Sequence, residues 1–187
     1  MACAPLAHAQ ASAATGPTIA IAVTDRAPTI DGRLDEPEWQ QAAVISDLVQ
    51  IRPGDGTPVS QKTEVLLMRD KDALYVAARM SDPGSPGKVS APTMKQNATF
   101  GNDDRIAIIV DPFNTGRNGY RFEVNANGVR NDMLYQNGSM QSEWSVVWDA
   151  AASLGEGQWI VEFAIPFKSL PFDPAIHDWG FNVSRAI

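Results

Sequence analysis

Apolar and polar residues alternate in short runs along most of this chain, the period of a strand with one face buried. In residues 74–80, Leu74, Val76, Ala78 and Met80 fall on one side, and Tyr75, Ala77 and Arg79 on the other. Residues 63–69 precede them across Asp70-Lys71-Asp72-Ala73, a hairpin turn by composition. In residues 105–110, Ile106, Ile108 and Val110 form the buried set. Tyr120, Phe122 and Val124 do so in residues 120–126, with Arg121, Glu123 and Asn125 outward. Asn127-Gly128 is a strong hairpin signal, because its residues tolerate the positive φ of a tight turn, and residues 129–135 return from it. Residues 144–151 and 158–165 pair around Gly155-Glu156-Gly157, and residues 179–185 supply the last strand.

Two segments break the alternation. Near the N-terminus a short strand over 19–23 is followed by Asp31-Gly32, a turn, and then by a short helix of two turns. Asp35 is placed to cap that helix, with Glu36, Pro37 and Glu38 in its first turn and Trp39 as the plug of one end of the fold. Residues 82–104, rich in Gly, Pro and Ser, read as a long loop, and loops of that length usually have a function. The pattern as a whole predicts an all-β fold, a β-sandwich of the jelly-roll or immunoglobulin-like kind with one short helix near the N-terminus. It contains no βαβ unit of the sort a nucleotide-binding sheet needs.

Composition narrows the chemistry. A chain of 187 residues fits one domain, read here as 18–187. Fifteen Lys+Arg against 22 Asp+Glu give a net charge of −7, the wrong sign for a nucleic-acid partner gripped over a broad face. One Cys excludes an internal disulfide and a multi-cysteine metal site, and two His exclude a histidine-rich centre. Residues 1–17 are Ala-rich, and Ala7-His8-Ala9 has the small-x-small form of a signal-peptidase site. The segment reads either as the remnant of a signal peptide or as a disordered leader; the first reading makes the protein exported.

A set of motifs is spread in order over residues 28–187. It opens on Pro28-Thr29-Ile30-Asp31-Gly32-Arg33-Leu34-Asp35-Glu36-Pro37-Glu38-Trp39 and continues through Lys62-Thr63-Glu64-Val65 and Leu74-Tyr75-Val76. Asp103-Asp104, Ile108-Ile109-Val110-Asp111, Gly119-Tyr120-Arg121-Phe122-Glu123-Val124-Asn125, Trp148, Trp159 to Phe167 and Trp179-Gly180 complete the order. In these motifs the chain resembles the family 9 carbohydrate-binding module and its DOMON-like relatives. The resemblance is narrowest to modules at the N-terminus of large bacterial proteins whose following β-rich region forms an outer-membrane barrel. It implies a β-sandwich, a polysaccharide or oligosaccharide partner, and a periplasmic or outer-membrane location with that barrel as a further partner. It also implies a fragment, cut from a longer chain at both ends.

Sugar recognition needs an aromatic face for the C–H side of a pyranose, with donors and acceptors beside it for the hydroxyls. Trp144 is the candidate platform, with Tyr75 second and Phe100 and Tyr135 as lesser ones; Arg121, Glu123, Asn125 and Arg79 are the candidate polar partners. Asp82, Asp103 and Asp104 carry the hard oxygen ligands that calcium takes, without the spacing of an EF-hand loop. A catalytic reading would rest on His177 alone or on a carboxylate pair such as Glu123 with Glu162 or Asp104. The expected function is therefore a non-catalytic sugar-binding module with a link to carbohydrate catabolism. A docking domain for the barrel, or an accessory part of a glycoside hydrolase, are the alternatives.

Overall fold

The structure, a computed structural model, describes residues 16–54, 56–83 and 89–187, so the Ala7-His8-Ala9 segment lies outside the described residues. Its strands are β1 (Ala22–Val23), β2 (Ala43–Ile45), β3 (Val49–Gln50), β4 (Thr57–Pro58), β5 (Thr63–Arg69), β6 (Ala73–Ser81) and β7 (Arg105–Asp111). They continue with β8 (Asn118–Asn125), β9 (Arg130–Gln136), β10 (Ser139–Gln141), β11 (Asp149–Gly155), β12 (Gln158–Pro166) and β13 (Gly180–Ala186). Sheet I is six-stranded in the order β1-β5-β6-β12-β11, with β2 also on β5, and sheet II is five-stranded in the order β10-β9-β8-β7-β13. The all-β sandwich expected from the alternation is the fold.

The alternating residues meet between the sheets. Val65, Leu67, Leu74, Val76, Met80, Trp159, Val161, Phe163 and Ile165 of sheet I pack with Ile106, Ile108, Val110, Tyr120, Phe122 and Val124 of sheet II. Trp159, Phe122 and Phe163 are fully enclosed, and each such burial stabilises by roughly 1.5–3 kcal/mol.

Residues 142–148 close one side of the sandwich. Trp144, Val146 and Trp148 point inward from this segment, and Trp148 stacks on Phe163 at 5.9 Å between ring centroids. The Val146 N–H donates to the Asp132 carboxylate (2.7 Å) rather than to a strand, which is why β11 starts at Asp149 and not at the expected Trp144. Across the sandwich Arg185 donates to the Gln61 side chain (2.7 Å) and to the Lys62 and Ser81 carbonyls (both 3.2 Å).

The outer face of sheet I is also apolar, and residues 28–42 cover it. Trp39 is buried against Leu66, Met68, Ala73, Tyr75 and Ala77, with Ile30, Leu34 and Ala42 beside it. Trp39 therefore seals a sheet face, where the sequence suggested a plug at one end. The expected two-turn helix capped by Asp35 is a five-residue 3-10 helix, Pro37–Gln41, preceded by Glu36 with no side-chain cap. It stops because Ala43 is drawn into β2, pairing with Leu67.

One carboxylate pins this block. Glu162 of β12 points outward, is 0% exposed, and accepts the N–H groups of Asp31 (3.0 Å), Gly32 (2.7 Å) and Arg33 (3.2 Å) on Oε2. Its Oε1 accepts the Trp39 indole N–H at 3.0 Å. Three successive N–H groups converge because Gly32 takes φ +83°, and a Cβ there would stand 2.8 Å from the Ala152 carbonyl carbon.

Candidate functional site

The outer face of sheet II is the one the N-terminal block leaves uncovered. Strand register fixes its rows: Asn182, Ile109, Arg121 and Met133 lie side by side, then Ser184, Ala107, Glu123 and Asn131. One step the other way, Tyr135 stands between Gly119 and Met140. At Gly119 a Cβ would meet the Ile109 methyl at 2.7 Å, so the surface is necessarily low beside Tyr135.

Glu123 is the centre of the polar row. It is 4% exposed, bonded by the Arg121 guanidinium on Oε1 and by Asn131 Nδ2 on Oε2 (3.3 Å), with Arg105 Nε 3.7 Å away. Burying a carboxylate is costly unless such partners bond it. The arrangement is thus a held lattice of donors and acceptors, with Arg121 keeping further N–H groups beyond its Glu123 bond. Half-buried Tyr135 and Met133 adjoin it on the same face.

Residues 93–103 form a wall at one end of this face, and Asn125 fastens it. Asn125 Nδ2 donates to the Thr93 carbonyl and to Asp103 Oδ1 (both 2.9 Å), while its Oδ1 accepts Asn127 N–H (3.1 Å) and Val129 N–H (2.9 Å). Arg130 N–H donates to the Gln96 side chain (2.7 Å), and Arg105 Nη1 to the Gly101 carbonyl (3.1 Å). Phe100, in this wall, is buried. Burial works against the Asp103 charge, but the bonds from Asn125 and Thr93 and the nearby Arg105 outweigh it and hold its carboxyl below the usual range.

The residues named from sequence separate into three places. Arg121 and Glu123 meet on the open face, and Asn125 lies beside them with its amide fully engaged in the fastening. Tyr75 and Arg79 belong to sheet I, on its far side. Tyr75 lies under the N-terminal block with its hydroxyl donating to Asp70 (2.9 Å), and burial followed by that bond pushes its pKa up; Arg79 pairs with Glu64 at 2.9 Å. Trp144 faces the core and stacks on Tyr120 with centroids 5.0 Å apart, so it does not share a surface with Arg121. Sequence reasoning missed Arg105 and Asn131. Their outward parity was readable in β7 and β9, but the register that brings them to Glu123 was not.

Among the described residues no three His, Cys, Asp or Glu side chains gather to hold a metal. Asp103 gives both oxygens to Thr93 and Asn125, Asp104 accepts the Ser90 N–H at 2.5 Å, and Asp82 accepts the Gln61 amide at 3.4 Å. The carboxylate pairs considered for hydrolysis do not face each other. Glu123 and Glu162 sit on opposite outer faces, separated by at least the roughly 10 Å between packed sheets, and Asp104 is of opposite parity to Glu123. His177 is exposed in a loop.

No curated protein matches the chain. Among solved structures, a family 9 carbohydrate-binding module from Caldicellulosiruptor kristjanssonii in complex with glucose is similar, with TM-score 0.59 and 19% identity. The alignment covers 88% of this chain and 76% of that one. The same module in complex with cellotriose matches with the same score and identity, over 88% and 75%. At this identity the likeness is one of fold. A family model, described as "Carbohydrate family 9 binding domain-like", matches residues 30–185, from the Glu162-pinned block to the end of the last strand; the chain belongs to that family and is a non-catalytic binding module.

Proposed function

We propose that this domain holds a neutral saccharide on the outer face of sheet II. The observation that carries the reading is the lattice of Arg121, Glu123, Arg105 and Asn131, set in register beside the half-buried ring of Tyr135. A pyranose offers hydroxyls to such a lattice and C–H groups to such a ring. The two guanidiniums stand against the Glu123 and Asp103 carboxylates, so the face has no excess charge to draw an anion. Glucose and cello-oligosaccharides are the first ligands to test, because the similar module carries glucose or cellotriose.

The proposal extends to context. The module serves a larger exported protein engaged in carbohydrate catabolism, in the periplasm or at the outer membrane, where it delivers glycan to the rest of the chain. The Ala7-His8-Ala9 spacing and the sequence resemblance support this, and fractionation of cells making the natural full-length protein tests it.

The decisive experiment for the binding face is calorimetric titration of the domain with soluble glycans, beside Arg121→Ala and Tyr135→Ala proteins whose folding is checked by circular dichroism. Saturable binding weakened by both substitutions supports the reading. Binding that neither substitution touches moves the site elsewhere, and a folded domain that retains none of the glycans overturns the reading.

A further inference from the structure

The face of sheet II that lines the core does not end in apolar residues. Going outward along β8 on that face, Phe122 is 0% exposed and Tyr120 8%, and the next position, Asn118, is a half-buried amide. Its register partner on β9 is Gln136, exposed and also an amide, next to half-buried Leu134. At this end of the sandwich a notch of about 200 Å3 opens between the β7–β8 turn and the end of β9. Tyr120, Leu134, Asn118, Gln136, Phe113 and Asp111 line it.

Phe113 is 39% exposed, and its turn is stapled. The Asp111 carboxylate accepts the N–H of Phe113 (3.1 Å), the N–H and hydroxyl of Thr115 (2.7 and 3.2 Å) and the N–H of Gly116 (2.7 Å). Thr115 Oγ1 in turn accepts the N–H groups of Arg117 and Asn118, both at 3.2 Å. The turn therefore holds the backbone that carries the ring, which lowers the entropy lost when the ring is used. Asn118 Oδ1 accepts the Asn137 N–H (3.3 Å), which fixes the amide and leaves its NH2 as a donor. Gln136 supplies both a donor and an acceptor. Tyr120 forms the floor, held by its stacking on Trp144.

We infer that this notch is a second saccharide site, taking a single neutral pyranose between Phe113 and the Asn118–Gln136 amide pair. The inference rests on the carbohydrate reading for its ligand class, but not on the Arg121 face. The volume suits one ring and not a chain laid lengthwise. The amides suit hydroxyls, which both donate and accept, and the one carboxylate in the lining is consumed by its turn.

The test is nitrogen-edited NMR of the whole chain titrated with free glucose, galactose, mannose and xylose, following the Asn118 and Gln136 side-chain amides and the Arg121 and Tyr135 signals separately. The expected result is saturable shifts at the two amides in the wild type and in Arg121→Ala. Phe113→Ala, a change at an exposed turn position, weakens them roughly three- to tenfold, the worth of one aromatic contact. Gln136→Ala weakens them as well. Shifts confined to Arg121 and Tyr135 overturn the second site and leave the first standing. Shifts at the amides alone support the second site and remove the first. If neither set moves with any of the four sugars, both are overturned.

Discussion

Glu162 offers a quantitative test of how the N-terminal block is held. Burial pushes its carboxyl up to about 7 from an ordinary value of 4.5, with the Glu36 charge acting the same way and the Gly32, Asp31 and Trp39 donors opposing. A pKa raised in the folded state means that the folded protein binds this proton more tightly than the unfolded chain does. The stability it brings is fully present below 4.5 and is lost as pH rises through about 7. At 1.36 kcal/mol per pH unit the interval amounts to about 3 kcal/mol. Asp103 acts in the opposite sense: its carboxyl is held low, so its contribution is present above 3.8 and lost as pH falls through its folded value. Stability should therefore peak on the acid side of neutrality. Urea unfolding at a series of pH values, read by tryptophan fluorescence, measures this, with Trp39 itself bonded to the carboxylate. Glu162→Gln is neutral at every pH and should remove the slope between 4.5 and about 7 while leaving the acid limb. Its single amide oxygen cannot serve both the backbone N–H cluster and the indole, so it should be about 1–3 kcal/mol less stable than the protonated wild type. A wild-type profile that is flat or rising across that interval, or a Glu162→Gln protein that keeps the slope, refutes the reasoning.

Gly32→Val should destabilise by about 3 kcal/mol or more, since the φ of +83° and the 2.8 Å approach to Ala152 forbid a side chain; thermal melting checks it. Trp144→Ala should cost about 2 kcal/mol through lost packing on Tyr120 while leaving saccharide affinity at the Arg121 face unchanged, a contrast that separates core from site. Arg121→Ala should weaken that affinity about tenfold by titration calorimetry, the worth of one charged hydrogen bond. Melting in calcium and in chelator should agree, because Asp103 already gives both oxygens to Thr93 and Asn125; a rise with the ion that Asp104→Asn abolishes would assign a structural calcium to these loops.

Much of the architecture was legible because it is local. Period two placed β5 at Thr63–Arg69 and came within two residues of both ends of β6, β7, β8, β9, β12 and β13. The short strands β2, β3, β4 and β10 were not foreseen, since two or three residues carry no measurable period. The site was legible only in part, because a face is defined by register. Arg121 and Glu123 share one strand, so their parity alone joined them. Arg79 has the same outward parity but belongs to the other sheet, and nothing local in β6 says so. Trp144 misled for a related reason: a Trp beside a polar loop looks like a platform until the gap it fills between the two sheets is known.

The two outer faces of the sandwich are unlike, one roofed by residues 28–42 and one walled at its end by residues 93–103, and this gives the domain a front and a back. β1 joins the chain to sheet I, the roofed sheet, where it runs parallel to β5. A surface that takes the domain by its polar row therefore meets sheet II first, with β1 in the sheet behind it. A reporter or affinity handle placed ahead of Gly16 is thus joined to the domain through sheet I, and it alters none of the strands that carry the polar row.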